Sequence, residues 1–418
     1  MIRLATLLAT GPEPTREILG NIPPLARWIF AGLSVVAIAC FCWGVWRRVR
    51  IWRLRPWKEA RISWRAGIVR LGRDIFLQRR LRGRGAASTA HLFLFSGFVV
   101  LFIGTLLIAI EHLLADLLGR PPAYPVFHYG LYYIIYEFVL DVFGVALIIG
   151  CLMFLYRRFN RPQSLDHQPA DIAILACLLF LGISGFIVEG LRILQAQSVQ
   201  PECSFVGLSV AHLLEGAGID HEKSITLHRW SWWLHAIPAL TLVAVFPYSR
   251  LVHSIAGSVN LLTEPTHLGR MEPISIEEVE ETGLVGVGQL MDFSRERLLH
   301  FDACVACGRC EEACPAYEAG KPLSPKAVVQ DIHRYLDTQS FDLLAHLARG
   351  EEGELTGALH GDVISAETLW SCTTCSACVE VCPLRVNPLG IITDMRRHLV
   401  GEGTLRGTPA GALQKSQR

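Results

Sequence analysis

Five charge-poor apolar runs limit what this chain can fold into more than any other feature. They lie at about 28–46, 91–111, 134–156, 172–188 and 232–248. About 20 apolar residues in a helix cross the ~30 Å hydrocarbon core of a bilayer. A soluble helix of that length would carry a polar face, which these runs lack. Of the 418 residues, 51% are apolar and 18% charged, against about 25% charged in ordinary soluble domains. Disordered, disulfide-scaffold and fully soluble classes are thereby excluded. The first run starts late and leads into bulky Trp46-Arg-Arg-Val-Arg-Ile-Trp-Arg-Leu-Arg55, so it reads as a span and not as a cleaved signal peptide.

Lysine and arginine near the span ends set the expected direction. The segment 47–88 holds fourteen of them against only Glu59 and Asp74. The connection after the third run holds Arg157, Arg158 and Arg161, whereas Arg120 alone lies between the second and third. The N-terminal segment 1–25 is therefore expected outside a bacterial cytoplasmic (inner) membrane. The basic loop 47–88 and everything from about Ser249 onward are expected in the cytoplasm. The net charge of +1, from 39 basic and 38 acidic residues, conceals this asymmetry. The basic loop has no element that reads a duplex, so no nucleic-acid partner is expected. Topology and anionic lipid explain it better, and its part from Ile62 to Ile68 suits an interfacial amphipathic helix. The longest outside segment, 191–222, is expected to cover the outer helix ends.

Eight of the thirteen cysteines form two blocks, Cys304-Val-Ala-Cys307-Gly-Arg-Cys310-Glu-Glu-Ala-Cys314-Pro315 and Cys372-Thr-Thr-Cys375-Ser-Ala-Cys378-Val-Glu-Val-Cys382-Pro383. Each is C-x2-C-x2-C-x3-C-P, the spacing of two-cluster ferredoxins, in which the fourth cysteine of each block ligates the other cluster. Cluster 1 is thus assigned Cys304, Cys307, Cys310 and Cys382, and cluster 2 Cys372, Cys375, Cys378 and Cys314. Zinc or disulfides fit two complete repeats in a reducing compartment poorly. The 57 residues between the blocks read as helical, so the domain is expected to be an α-helical ferredoxin. Cys40, Cys42, Cys151 and Cys177 lie in spans and read as small buried hydrophobes. Cys203 reads as structural.

Histidines inside a bilayer are costly and need partners, and two facing imidazoles can ligate haem iron. The second and fifth runs are antiparallel. That pairs His91 with His253 at the cytoplasmic side and His112 with His235 at the outer side, with His228 in reserve. The separations of 21 and 18 residues correspond to roughly 31 and 27 Å of helix, which suits one or two b haems. No C-x-x-C-H occurs, so covalent haem is excluded. Arg250 is a candidate neighbour of a haem propionate or of quinone, or else a membrane anchor. Glu111, Glu137, Asp141 and Glu189 are candidates for proton passage, with salt bridging as the competing reading.

Two stretches, Gly97-Phe-Val-Val-Leu-Phe-Ile-Gly104 and Pro247-Tyr-Ser-Arg-Leu-Val-His253, resemble the respiratory nitrate reductase gamma subunits, five-helix dihaem b proteins that exchange electrons with quinol. In that family spans 2 and 5 each give two haem ligands, and the span 5 pair is spaced like His235 and His253. Thr105 stands where the family has its second span 2 histidine. The segments 304–326 and 372–400 resemble heterodisulfide-reductase-type iron–sulfur proteins, and most closely the membrane-bound electron-transfer-flavoprotein:quinone oxidoreductases. Longer members of that family add Cys-Cys-Gly modules. None is present here, so such a module is expected to be dispensed with or supplied by a separate subunit.

The expected fold class is mainly α: a five-helix transmembrane cytochrome b bundle (26–255), a linker (256–299), a cytoplasmic α-helical ferredoxin domain with two 4Fe-4S clusters (300–400) and a flexible tail (401–418). The expected function is electron transfer as a subunit of a quinone oxidoreductase complex. It would run between menaquinone or ubiquinone in the membrane and electron-transfer flavoprotein, a Cys-Cys-Gly subunit, or both. The alternatives are a heterodisulfide-reductase-like subunit serving thiol–disulfide or organic-acid chemistry on a partner, and a haem-free membrane redox scaffold or sensor. No catalytic residue is identified, since the hard chemistry belongs to cofactors.

Overall fold

The computed structural model describes residues 15–54, 62–83, 85–120, 125–160, 168–196, 201–263, 273–283, 285–349, 358–404, 411–412 and 415. Most of the N-terminal segment, the basic residues Arg55, Lys58, Arg61 and Arg84, part of the expected linker and most of the tail lie outside them. Apart from two isolated β-bridges, the regular structure among the described residues is helical. The principal helices are α1 Pro24–Trp52, α2 Trp64–Arg70, α3 Ala86–Leu117, α4 Gly130–Phe159, α5 Pro169–Ala196, α6 Phe205–Gly216, α7 His221–Val245, α8 His253–Thr263, α9 Ile276–Thr282, α10 Arg295–Ala303, α11 Pro325–Arg349 and α12 Pro388–Gly401.

The five apolar runs become α1, α3, α4, α5 and α7, each long and apolar enough to cross a membrane. α1, α3, α4 and α5 outrun their apolar stretches at both ends, while α7 starts before its stretch and a 3-10 turn, Phe246–Tyr248, completes it. The chain forms two compact units. One holds α1 up to Phe41 and α3 to α7. Its helices approach through glycine: a Cβ on Gly97 would stand 2.7 Å from the Leu147 nitrogen, and one on Gly150 would stand 2.5 Å from the Leu94 nitrogen. Small residues at such contacts are how helices pack where no hydrophobic effect drives them together. Around this seam Leu147, Cys151 and Leu178 are buried against Leu94, Phe98, Leu101 and Leu242. The expected outer segment 191–222 contains α6, which packs on α5.

The second unit holds α1 from Cys42, α2 and the chain from Phe246 onward. Its core joins Ile51 and Trp52 of α1, Ala256 of α8, Phe293, Leu298 and Phe301, Ile332 and Leu336 of α11, and Ile391 and Met395 of α12. Residues 256–299, expected as a linker, thus supply most of α8, α9, the start of α10 and several of the largest buried side chains. The basic segment is also built in. Arg48 meets Asp302 at 3.0 Å and Asp337 at 2.6 Å. Arg70 donates to the Leu261 carbonyl at 2.8 Å, Arg80 donates to the Glu380 carbonyl, and Arg309 donates to the Arg80 carbonyl at 2.9 Å.

Asp302 is almost fully buried and is the hub of this unit. Trp52 Nε1 donates to it at 2.6 Å and His333 Nε2 lies 3.1 Å away. Burial alone would raise its carboxyl. Arg48, His333 and Trp52 outweigh burial and hold it below the usual carboxylate value. Its contribution to stability is therefore complete above about pH 3.9 and is lost as acid titrates the folded carboxyl below that. Asp302→Ala leaves Arg48 with Asp337 alone and deprives Trp52 and His333 of their acceptor, and is expected to cost about 1–3 kcal/mol. A thermal melt of the detergent-solubilised chain reads this as a lower midpoint. An unchanged midpoint would show that the carboxylate does not hold the unit together.

Candidate cofactor sites

The two cysteine blocks fold alike. α10 ends at Ala303, so Cys304 leaves it in extended conformation. Ala306 and Gly308 then turn left-handed, with φ of +54° and +80°. Thr374 and Ser376 occupy the matching positions after Cys372, with φ of +56° and +63°. After each pair a single helical turn carries the third cysteine, Cys310 in Arg309–Glu312 and Cys378 in Ala377–Glu380. Left-handed non-glycine residues are strained and persist only where their surroundings demand them. Here the two reversals curl three closely spaced thiols toward one point. Pro315 at the first position of the next turn ends the first block. Asn387, which accepts the Gly390 N–H at 2.7 Å, starts α12 just after the second. Only Gly308 hinted at this geometry in the sequence.

Each fourth cysteine lies near sulfurs of the opposite block: Cys382 near Cys304 and Cys307, and Cys314 near Cys378. Cys304, Cys307, Cys310, Cys378 and Cys382 line one cavity. The sulfurs acting on Cys310 are Cys304, Cys307, Cys382 and Cys378, while those acting on Cys378 are Cys372, Cys314 and Cys375. Burial pushes the Cys304 thiol up to about 11 and Cys378 up to about 12, and it raises Cys310 and Cys382 as well. The neighbouring sulfurs add to the rise at each of them. Such a cluster of buried thiols resists losing protons unless a cation compensates, and binding iron releases those protons. Backbone N–H groups also point at sulfur, from Thr374 to Cys372 at 3.5 Å and from Val386 to Cys382 at 3.3 Å. Such bonds help set a cluster's potential. Among the described residues no group of three or more His, Cys, Asp or Glu side chains is gathered for a single metal ion. The donor set fits two sulfide-bridged clusters.

The histidines differ in which nitrogen they leave available. His235 Nδ1 lies 2.9 Å from Ser184 Oγ, whose own proton points to the Leu181 carbonyl at 3.4 Å. Where the hydroxyl accepts from Nδ1–H, the Nε2 lone pair of His235 is left for a metal. His253 likewise spends Nδ1–H on the Arg250 carbonyl, and burial lowers its imidazole pKa despite that bond. Ligating histidines are normally anchored through the second nitrogen in this way. His228 is the reverse: Asn21 Nδ2 donates to its Nδ1 at 3.3 Å, which puts the proton on Nε2. The Asn21 orientation follows from Arg229, which donates to its Oδ1 at 3.2 Å. His112 turns Nε2 to Asp116, 3.7 Å away. His91 lies against the rings of Phe95 and Phe154.

The span acids are engaged in packing. Glu137 pairs with Arg192 at 2.8 Å and Arg16 at 3.2 Å and accepts Ser204 Oγ–H at 2.6 Å. Asp141 accepts the Val206 N–H at 2.6 Å, and Glu111 accepts the backbone N–H groups of Val126 and Phe127. Glu189 lies 3.5 Å from Arg192. The sequence did not single out His128. It is fully buried beside Tyr133 and Tyr136, with both ring nitrogens unpaired. Burial, then Arg16, brings it down to about 4, so it is neutral.

Residues 35–272 match the nitrate reductase gamma subunit family, and residues 300–386 match the 4Fe-4S dicluster domain. An EtfAB:quinone oxidoreductase of Syntrophomonas wolfei is 30% identical over 97% of this chain and 59% of its own length. A probable iron–sulfur-binding oxidoreductase of Bacillus subtilis is 26% identical over 82% of this chain and 52% of its own. A component of the dihydromethanophenazine:CoB–CoM heterodisulfide reductase of Methanosarcina barkeri is 34% identical over 26% of each chain. The chain thus spans little more than half the length of the first two relatives. No solved structure matches it. With its apolar helices, its family match over more than half its residues and its paired cysteine blocks, the chain belongs to the nitrate reductase gamma subunit family and is a membrane-associated iron–sulfur protein with a 4Fe-4S dicluster domain.

Proposed function

We propose that the chain is the electron-transfer subunit of a quinone oxidoreductase, passing electrons between two 4Fe-4S clusters and the membrane quinone pool by way of one or two b haems. What supports this reading is a cavity lined by Cys304, Cys307, Cys310, Cys378 and Cys382, with Cys372, Cys314 and Cys375 acting on Cys378, in a chain whose residues 35–272 match the nitrate reductase gamma subunit family. Clusters and haems supply one-electron redox chemistry when bound. The protein's own groups hold and orient. Cys304, Cys307, Cys310 and Cys382 take cluster 1, while Cys372, Cys375, Cys378 and Cys314 take cluster 2. His235 and His253 ligate on the span 5 side, each through Nε2 with Nδ1 anchored. His91 and His112 are the span 2 counterparts on the spacing of the sequence, although His112 would have to release Asp116. His228 stays in reserve.

The fourteen basic residues of 47–88 support a cytoplasmic iron–sulfur domain and an outside N-terminus. The donor we favour is electron-transfer flavoprotein, on the strength of the Syntrophomonas relative. The heterodisulfide reductase likeness supports a second reading, with a Cys-Cys-Gly subunit as partner. Purified chain in nanodiscs with a quinone analogue separates them. Reduced flavoprotein is expected to be oxidised as quinone is reduced. No reaction, together with a tightly co-eluting Cys-Cys-Gly subunit, would replace the first reading by the second.

Crossed ligation predicts that Cys382→Ser and Cys310→Ser abolish the same cluster signal in electron paramagnetic resonance, while Cys314→Ser abolishes the other. Each should cut iron–sulfur iron from about eight to about four per chain. If Cys314→Ser and Cys310→Ser removed the same signal, the crossing would be refuted. His235→Ala and His253→Ala are each expected to lose b-type absorbance. Ser184→Ala should retain it with roughly 10–100-fold weaker haem retention, as loss of an orienting partner does. A full b-type spectrum in the His235→Ala/His253→Ala double variant would contradict the ligand assignment.

A further inference from the structure

The segment Trp64–Phe76 is a helix turned inside out. It comprises α2 and the π-helical turn Leu71–Phe76. The side facing the protein is small or polar: Gly67, Arg70, Asp74 and Gln78 are buried at successive spacings of three and four residues. The side facing away is apolar. Trp64 is 60% exposed, Ile68 64%, Val69 61% and Phe76 68%, and Leu77 continues the face. A helix on the surface of a soluble domain shows the opposite arrangement.

The inner side is packed closely on α8. A Cβ on Gly67 would stand 2.3 Å from the Leu262 carbonyl oxygen, and Arg70 is bonded to the Leu261 carbonyl. The outer side is flanked by exposed Arg65, Arg79 and Arg82. Twelve residues before Trp64, α1 ends as a span, and its last turns carry exposed, stacked Trp43 and Trp46 with Arg50 over the Trp46 ring. Tryptophan and arginine in that order mark the level of a bilayer interface. The next span, α3, begins at Ala86, so the intervening chain leaves and re-enters the same face of the membrane.

We propose that residues 64–77 lie in the interface of the bilayer as a monolayer-inserted amphipathic element. Trp64, Ile68, Val69 and Phe76 enter the headgroup–acyl boundary, and the arginines bind anionic phospholipid. The inner side then ties the membrane surface to α8. α8 in turn grips the second cysteine block next to Cys382, because Asn260 Nδ2 donates to the Leu384 carbonyl at 2.7 Å and Gly257 packs on Leu384. The element therefore acts as a float that sets the height of the Cys382 loop relative to the lipid.

The test uses the full chain in phosphatidylcholine–phosphatidylglycerol vesicles containing a phospholipid with a diazirine high on its acyl chain. After irradiation, mass spectrometry is expected to find adducts on the 64–77 peptide as well as on α3. Replacing phosphatidylglycerol by phosphatidylcholine should lower the 64–77 adducts severalfold and leave α3 unchanged. Ile68→Ser/Phe76→Ser should lower them about tenfold, with α3 labelling as the control for folding, and should speed hydrogen exchange around Leu384. An unlabelled 64–77 peptide beside a labelled α3 in the unaltered protein would overturn the proposal. So would labelling indifferent to lipid charge, or exchange that slows only when a protein partner is added.

Discussion

The carboxylate of Asp302 is the point on which the iron–sulfur unit turns. It stands two residues before the first cluster cysteine and is met by Arg48 and Trp52 from the end of the first span and by His333 from α11. A charge removed from water in this way adds little net stability compared with apolar packing, but losing one partner is expensive. Its effect is one of register. The last turns of a membrane helix, the helix leading into Cys304 and the long helix between the two cysteine blocks all have to meet at one carboxylate. The basic segment after the first span therefore belongs to the core of this unit, through Arg48, Arg70 and Arg80, as much as to the lipid.

From that hub outward, local backbone strain does the shaping. Ala306, Thr374 and Ser376 accept left-handed conformations that glycine would adopt at no steric cost, and they do so at equivalent places in two blocks separated by 57 residues. The repeated geometry gathers thiols inward, where burial and the neighbouring sulfurs raise them. In the membrane histidines the comparable economy lies in hydrogen bonds. Ser184 and the Arg250 carbonyl each fix one imidazole with Nε2 available, whereas Asn21 and Asp116 occupy the histidines that spacing alone would rank beside them.

Much of this was legible in the sequence because it depends on spacing. Five apolar runs became five long apolar helices, and two C-x2-C-x2-C-x3-C-P blocks pointed to the 4Fe-4S dicluster domain. What escaped depends on partners far apart in the chain or on dihedral angles that no residue type announces. Arg48 and Asp302 are 254 positions apart. The linker reading of 256–299 did not foresee that Phe293 and Leu298 join a core that also takes residues from α1, α8, α11 and α12. The face of α2 could be drawn on a helical wheel, but only its contacts with Leu261 and Leu262 show that its polar side is the inner one. The choice among histidines needed the protonated nitrogen of each, which follows from a neighbour's hydroxyl, amide or carbonyl and not from separation along a helix.

The central claim is that the clusters and the membrane quinone pool are joined within this one chain. Rapid mixing tests it most directly. The purified chain in nanodiscs, reduced with dithionite and freed of excess reductant, is mixed with a soluble menaquinone or ubiquinone analogue. Cluster resonance and b-type absorbance are then followed together. Joint reoxidation of clusters and haem with stoichiometric quinol formation is the predicted result. Clusters that stay reduced in the presence of excess quinone would contradict it.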